Sequence, residues 1–301
     1  MKTSIQELTA LEAIDFLKEI GDNTSAEDFA ELIQENASLA NIKILTLDER
    51  YVLPNAKWRG TEHTYGYIEN SEEDLLSIKH ASTVKPDLTL KGSPINIKLG
   101  SLYTINYPGW GRHNVLMHFK CKHANTDNNE FITIEFQQKF KSREGEGAGN
   151  LGDFIFNGLR VPNSGLQFDV QTINISNDGD EEALRVLESD TIKNGLKLIN
   201  ASFSTLAPCT IMAQGILGML LKSGKNKIVQ HFTIGFDFEN SSAEIAKLRE
   251  GTYIVAQTKR NLLNWNEWCF QRSSGLVVNK KDTSQRLQLN HITFNIAREK
   301  Q

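Results

Sequence analysis

Cysteine, proline and runs of like charge are all scarce in this chain. The only cysteines are Cys121, Cys209 and Cys269, an odd and widely spaced set. That excludes a disulfide framework, and each reads as a reduced, buried thiol. Six prolines and the lack of any low-complexity tract leave no clear linker. Lysine and arginine number 33 against 37 aspartates and glutamates, a formal charge of −4. A chain so nearly balanced has no global pull on polyanions, so no nucleic-acid partner is expected. The N-terminus, MKTSIQELTALEAIDFLKEIG, is interrupted by Glu7, Glu12, Asp15 and Glu19 and offers no signal-peptide core. A cytoplasmic location follows as the simplest expectation. HExxH, GxSxG and CxxC are missing too, which removes the short motifs of zinc hydrolases, serine hydrolases and dithiol redox proteins.

What is present is the make-up of a folded protein: 301 residues, 39% hydrophobic and 23% charged. Ile5, Leu8, Leu11, Ile14 and Leu17 recur at three-residue steps and predict a helix that stops near Gly21. Thr24 with Glu27 predicts the capping box of a second helix, through Phe29, Leu32 and Ile33. Together they would form an N-terminal helical hairpin. A shorter helix is predicted over 71–79.

From about residue 86 the period becomes two. Ile95, Ile97, Leu99, Tyr103, Ile105 and Tyr107 share one parity, and His113, Val115, Met117, Phe119 and Cys121 repeat it. Ile132, Ile134, Phe136 and Phe140 oppose Thr133, Glu135, Gln137 and Lys139. Ile228, Phe232, Ile234, Phe236 and Phe238 oppose His231, Thr233 and Asp237. Such alternation marks strands with one dry and one wet face, hence antiparallel sheets. Further strands are predicted at 166–175, 252–258 and 286–296, with a bulge between Leu289 and Ile292 where the parity switches. Helices are predicted at 181–189, 208–222 and 241–250. The expected fold is therefore α+β, mainly an antiparallel β-sandwich with an N-terminal helical hairpin and one buried helix. The expected division is a helical N-terminal region, 1–85, and a β-sandwich domain, 86–301.

The 24 residues between Lys197 and Lys222 carry no charge. Their polar members and Pro208 favour a core helix over a membrane span, and contact with a membrane is expected only after activation. The run Gly147-Ala148-Gly149-Asn150-Leu151-Gly152 matches GxGxxG, yet Gly158, Pro162 and Gly165 forbid the helix that a dinucleotide site needs. It reads as a surface loop, with Arg143 a possible cleavage point and no cofactor implied. Acidic residues at 177–182 read as the start of a helix; Asp178 and Asp180 are the weak candidates for Ca²⁺, with Asp153 or Asp237 contributing, and no other metal site is expected.

Two aromatic groups have the composition of binding hot spots: Tyr107, Trp110 and Arg112 in one loop, Trp265 and Trp268 in another. The functional expectation is a non-enzymatic β-sandwich binding or assembly protein, acting through its loops on a protein partner or on another copy of itself. The alternatives are a membrane-active, pore-forming-like effector that releases 198–221 on activation, and a hydrolase with a dispersed active site.

Overall fold

The computed structural model describes residues 9–19, 26, 30, 33, 34, 62–105, 107, 112–124, 131–143, 145–148, 152–175, 227–239, 245–258 and 263–299. The chain divides into two compact units, 1–57 and 58–301. In the first, α1 (Ala10–Glu19) is set by a capping box. Thr9 donates its hydroxyl and its backbone N–H to the Glu12 carboxylate (2.9 and 2.8 Å), and Glu12 N–H returns a bond to Thr9 Oγ1 (3.3 Å).

The second unit is built from strands. In chain order they are β1 (Glu62–Ile68), β2 (Leu75–His80), β3 (Pro94–Thr104), β4 (Arg112–Ala124), β5 (Phe131–Arg143), β6 (Glu146–Ala148) and β7 (Phe154–Arg160). There follow β8 (Leu166–Ile175), β9 (Lys227–Asp237), β10 (Ala246–Lys247), β11 (Gly251–Thr258), β12 (Trp268–Gln271), β13 (Leu276–Asn279) and β14 (His291–Arg298). Nine of them form one sheet, in the order β13-β12-β2-β1-β11-β14-β3-β6, with β7 also on β3. The other five form a second sheet, β10-β9-β8-β4-β5. Every described pairing is antiparallel except β10 on β9.

One parity of each sheet supplies the shared core. Phe119, Phe168 and Phe236 come from the five-stranded sheet, and Phe156, Tyr253 and Phe294 from the other. Their rings meet edge-on or stacked: Phe119–Phe294 at 5.7 Å, Phe236–Tyr253 at 4.8 Å, Tyr253–Phe294 at 5.7 Å. A smaller apolar cluster gathers Ile68, Ile78, Ile254, Ala256, Trp265, Val277 and Leu287.

A two-sheet, β-rich fold is what the alternation required; the strands at 166–175 and 252–258 are found as β8 and β11, and that predicted at 286–296 is found as β14, which starts five residues later, at His291. The α+β description, however, is corrected. The described residues contain one complete α-helix, of ten residues; Ala26, Ala30, Ile33 and Gln34 are helical as well, but no helical hairpin is described, and among the described residues the layer between the sheets is filled mainly by strand side chains. The predicted buried helix 208–222 and the helix 181–189 lie outside the described residues, and most of the second hairpin helix does too. Residues 71–79 are not helical: Leu75–His80 is a strand held between β1 and β12. In the predicted helix 241–250, Ala246–Lys247 is a strand on β9. Because β1 and β2 belong to the large sheet, the boundary between units falls at 57/58 and not near 85.

The bulge is also displaced. The β14–β3 ladder slips between Thr293 and Phe294, where Gly100 is the unpaired residue on β3. A Cβ there would strike the Thr293 hydroxyl, so only glycine fits. Past the bulge the faces of β3 exchange: Ile95, Ile97 and Leu99 are buried before it, Leu102 and Thr104 after it. Tyr103 and Ile105, expected inside, are therefore only half-buried.

Phe168 touches Phe119 (5.1 Å) and Phe236 (5.5 Å) within the layer. Phe168→Ala should lower unfolding free energy by about 3–5 kcal/mol, measured by urea denaturation.

Candidate functional site

The aromatic residues singled out in the sequence are not brought together. Tyr107 is fully buried in the inter-sheet core, donating its hydroxyl to Thr172 Oγ1 (2.9 Å) and accepting from Gln230 Nε2 (3.2 Å). Burial pushes its phenol up to about 12. Trp265 is buried in the smaller cluster, where its Nε1–H donates to Thr64 Oγ1 (3.1 Å), and half-buried Trp268 packs on the same cluster. Arg112 opens β4 in register with Arg143, which is exposed at the end of β5. Trp110, Asp178 and Asp180 lie outside the described residues, as does the uncharged run 198–221.

Of the other proposed cation ligands, Asp153 accepts from Gln138 Nε2 (3.1 Å) and Asp237 from Lys247 Nζ (2.8 Å). No group of three His, Cys, Asp or Glu side chains among the described residues is arranged to hold a metal ion. The glycine run enters a sheet: Gly147 sits in β6 opposite Tyr103, and after Gly152 the chain continues into strand β7. Among the described residues no helix is long and apolar enough to cross a membrane.

The concentration of chemistry is elsewhere, on the outer face of the five-stranded sheet. Strand register aligns His231, Gln171, His118 and Gln137 in one row across β9, β8, β4 and β5. Two residues further along lie Thr233, Asp169, Lys120 and Glu135, and then Gly235, Gln167, Lys122 and Thr133. Directly opposed residues of antiparallel strands share a face, so these three rows form one array.

Two imidazole–carboxylate pairs are built into it. His118 Nε2 meets Glu135 Oε2 at 2.9 Å with both side chains 0% exposed. His231 Nε2 meets Asp169 Oδ2 at 3.0 Å with 51% and 30% of the side chains exposed. Thr233 donates its hydroxyl to the same Asp169 oxygen (3.2 Å). Gln137, buried beside His118, has neither its Nε2 nor its Oε1 hydrogen-bonded, and His118 Nδ1 likewise lacks a partner. Burying amide groups unpaired costs roughly 1–3 kcal/mol each, so this corner of the face is not optimised for stability.

At the third row the face opens into a cleft of about 520 Å³, lined by Thr133, Ser164, Gly165, Leu166, Gln167, Gly235, Phe236, Asp237 and Ile245. Gly165 closes the turn from β7 into β8 and lies against β9: its φ is +95°, and a Cβ would run into the Phe236 carbonyl oxygen. Lys247, itself buried, neutralises Asp237 at the cleft wall and also donates to the Glu239 carbonyl (2.5 Å).

Chemically, the array can hold and orient polar groups. It lacks an activated nucleophile among the described residues. The Thr233 hydroxyl is spent on a carboxylate rather than offered to an imidazole. Burial raises the Cys121 thiol far above its usual range, and burial also raises that of Cys269.

The sequence marked Glu135, Gln137, His231 and Thr233 as wet-face residues but gave no reason to group them. The partners are far apart along the chain, 62 residues in the case of His231 and Asp169. No protein-family model, curated protein or solved structure matches this chain.

The described histidines also set an acid limit to the fold. His291 is fully buried; its Nδ1–H donates to the Leu289 carbonyl (2.8 Å) and its ring stacks on Tyr103 at 4.7 Å. Burial pushes its imidazole down to about 4, and burial lowers that of His113 too. An unfolded histidine titrates near 6.5, so between about 6.5 and 4 the unfolded chain binds the proton and the folded one does not. Stability is therefore complete above that window and falls as pH drops through it, by about 3 kcal/mol at most from His291. Urea denaturation at about pH 7 and about pH 4.5 should show this loss, and His291→Phe should reduce it.

Proposed function

We propose that the chain is a non-enzymatic β-sandwich binding protein whose recognition surface is the exposed part of the outer face of the five-stranded sheet, along β8 and β9. The observation that carries this reading is the run of accessible polar groups there. A half-exposed His231–Asp169 pair, with Thr233, leads to an open cleft on the side of the sheet away from the aromatic layer, whereas His118, Glu135 and Gln137 of the same face are buried and present nothing to a partner. Polar groups in register on a rigid sheet are pre-organised, which lowers the entropic cost of meeting a partner. The loop-tip reading has less support: Tyr107 and Trp265 are buried and present nothing to a partner. The hydrolase alternative has no nucleophile–base pair to support it among the described residues.

Assembly with a second copy is a second reading, favoured by β5. This 13-residue strand pairs only with β4 among the described residues. Edges of that length are templates for further pairing. A two-fold about Gln137 would set Glu135 against Lys139 of a second copy and Gln137 against itself.

Both readings can be checked with the full chain. Material recovered with the protein from its own cell extract should be lost with the exchange variant Asp169→Lys/His231→Glu and retained with Arg272→Glu, which lies on the other sheet's β12–β13 turn. Retention by the first variant would refute the outer-face reading. Native mass measurement decides the second: a dimer broken by a proline at Gln138 supports pairing at β5, and a monomer at all concentrations removes it.

A further inference from the structure

Gly235 lies inside β9, paired with Gln167 of β8, and nothing among the described residues demands a glycine there. The comparison with other strand glycines is direct. A Cβ at Gly66 would stand 2.6 Å from Ile254 Cγ2 and 2.7 Å from Ile78 Cγ2, and at Gly147 it would stand 3.0 Å from the Tyr103 ring. Gly100 is closed by Thr293. At Gly235 an added Cβ would meet, among the described residues, only Ile245 Cγ2, at an ordinary 3.6 Å, and the backbone is not in the left-handed region. A glycine in mid-strand sacrifices roughly 0.5–1 kcal/mol relative to alanine. Where packing does not require it, a bare strand backbone marks a place where something else comes close to the sheet.

That place is the floor of the cleft. The other lining groups define what would fit. Ser164 and Thr133 offer hydroxyls, Gln167 an amide that both donates and accepts, and Asp237 a carboxylate already neutralised by Lys247. Ile245, 41% exposed, adds an apolar edge beside Gly235. By register, the second row sets Lys120 between two acidic residues, Asp169 and Glu135, and at the cleft Lys247 offsets Asp237, so the cleft lining has no dominant sign. From Gly235 on β9 to Thr133 on β5 is three strand spacings, roughly 14 Å. The volume lies in the range of small-ligand sites.

We infer that this trough binds a neutral, polyhydroxylated ligand, a short carbohydrate chain, laid across the strands with a ring face against Gly235 and Ile245. Sugar hydroxyls are donors and acceptors at once, which matches a mixed lining of hydroxyl, amide and neutralised carboxylate, and the C–H face of a ring matches bare backbone and an isoleucine methyl. A peptide fits less well. It recognises a sheet through backbone bonds at an edge, whereas β8 and β4, which run under the middle of the trough, are paired on both sides at this row. This inference rests on the outer face being a recognition surface and names the ligand class of its open end.

The test is saturation-transfer NMR and titration calorimetry of the full chain with cellobiose, chitobiose, xylobiose, maltose and their trimers, with a heparin disaccharide and a tri-alanine peptide as comparators. At least one neutral saccharide should bind saturably, with Kd between about 10 μM and 1 mM. Gly235→Val, which fills the floor with a good strand former, should weaken it at least tenfold without lowering the thermal midpoint. Gln167→Ala, an exposed change, should weaken it several-fold and decides the matter if the valine variant is unstable. The inference is overturned if no neutral saccharide binds, if only the heparin disaccharide or the peptide binds, or if binding is indifferent to both substitutions. Failure here, with the Asp169→Lys/His231→Glu variant still losing its partner, leaves the recognition surface in place; failure of both removes it as well.

Discussion

The packing of aromatic rings between the two sheets is the constraint from which the rest of the second unit follows. Phe119, Phe168 and Phe236 each commit the inward parity of their strand to that layer, against Tyr253 and Phe294 on the opposite sheet. Because the side-chain period of a strand is two, that commitment also fixes what points outward. A one-residue slip of β8 against β4 would place Asp169 where Phe168 now packs. The outer polar array is thus held in register by rings that never touch it, and its precision is that of the core.

The same constraint explains why the array can afford groups that lower stability. His118 and Glu135 are wholly buried as a hydrogen-bonded pair, and a polar pair removed from water commonly does no better than an apolar one of the same shape. Gln137 beside them leaves both ends of its amide unpaired. On a sheet face whose position is secured from the other side, such costs do not endanger the fold. The groups of this face that meet solvent are His231, Asp169 and Thr233, held in fixed geometry by their own hydrogen bonds.

Much of the strand framework was legible because alternation is a local signal. The inward parity of β8 and of β9 from Phe232 onward follows the sequence, but β4 and β5 are buried on both faces at Leu116, His118, Glu135 and Gln137, and a bulge at Val229 turns Ile228, expected inside, outward. Where the reading failed, a distant partner had overruled a local preference. Residues 71–79 carry Ser71 and Asp74 in a pattern that can cap a helix, yet Leu75–His80 is extended because β1 and β12 bond it on both sides. Asp74 itself is used differently, accepting from the Ser273 backbone N–H (2.7 Å), which holds its carboxyl below the usual range. Ala246 and Lys247 are drawn into a strand by β9, and the Lys247 ammonium is anchored on Asp237. On β3 one residue, Gly100, reverses the faces of everything after it, and the alternation alone placed the reversal on the wrong strand. The site was less legible than the fold. Its residues were visible one at a time as polar members of amphipathic strands, but the rows that unite them exist only across four strands.

Two glycines at the β8–β9 contact show how little residue type alone reveals. Gly165 and Gly235 line the same cleft. The first is imposed by the backbone: its φ of +95° and the carbonyl of Phe236 exclude any side chain, and the turn into β8 depends on it. The second has an unstrained backbone and room for a methyl group. In sequence Gly165 follows a turn-like Pro-Asn-Ser run, while Gly235 interrupts an alternating strand with nothing to explain it. The distances to neighbouring atoms separate a glycine that the fold requires from one that it merely tolerates. The tolerated one calls for a different cause, and it is found at the floor of a cleft whose walls are already set with hydroxyls, an amide and a neutralised carboxylate.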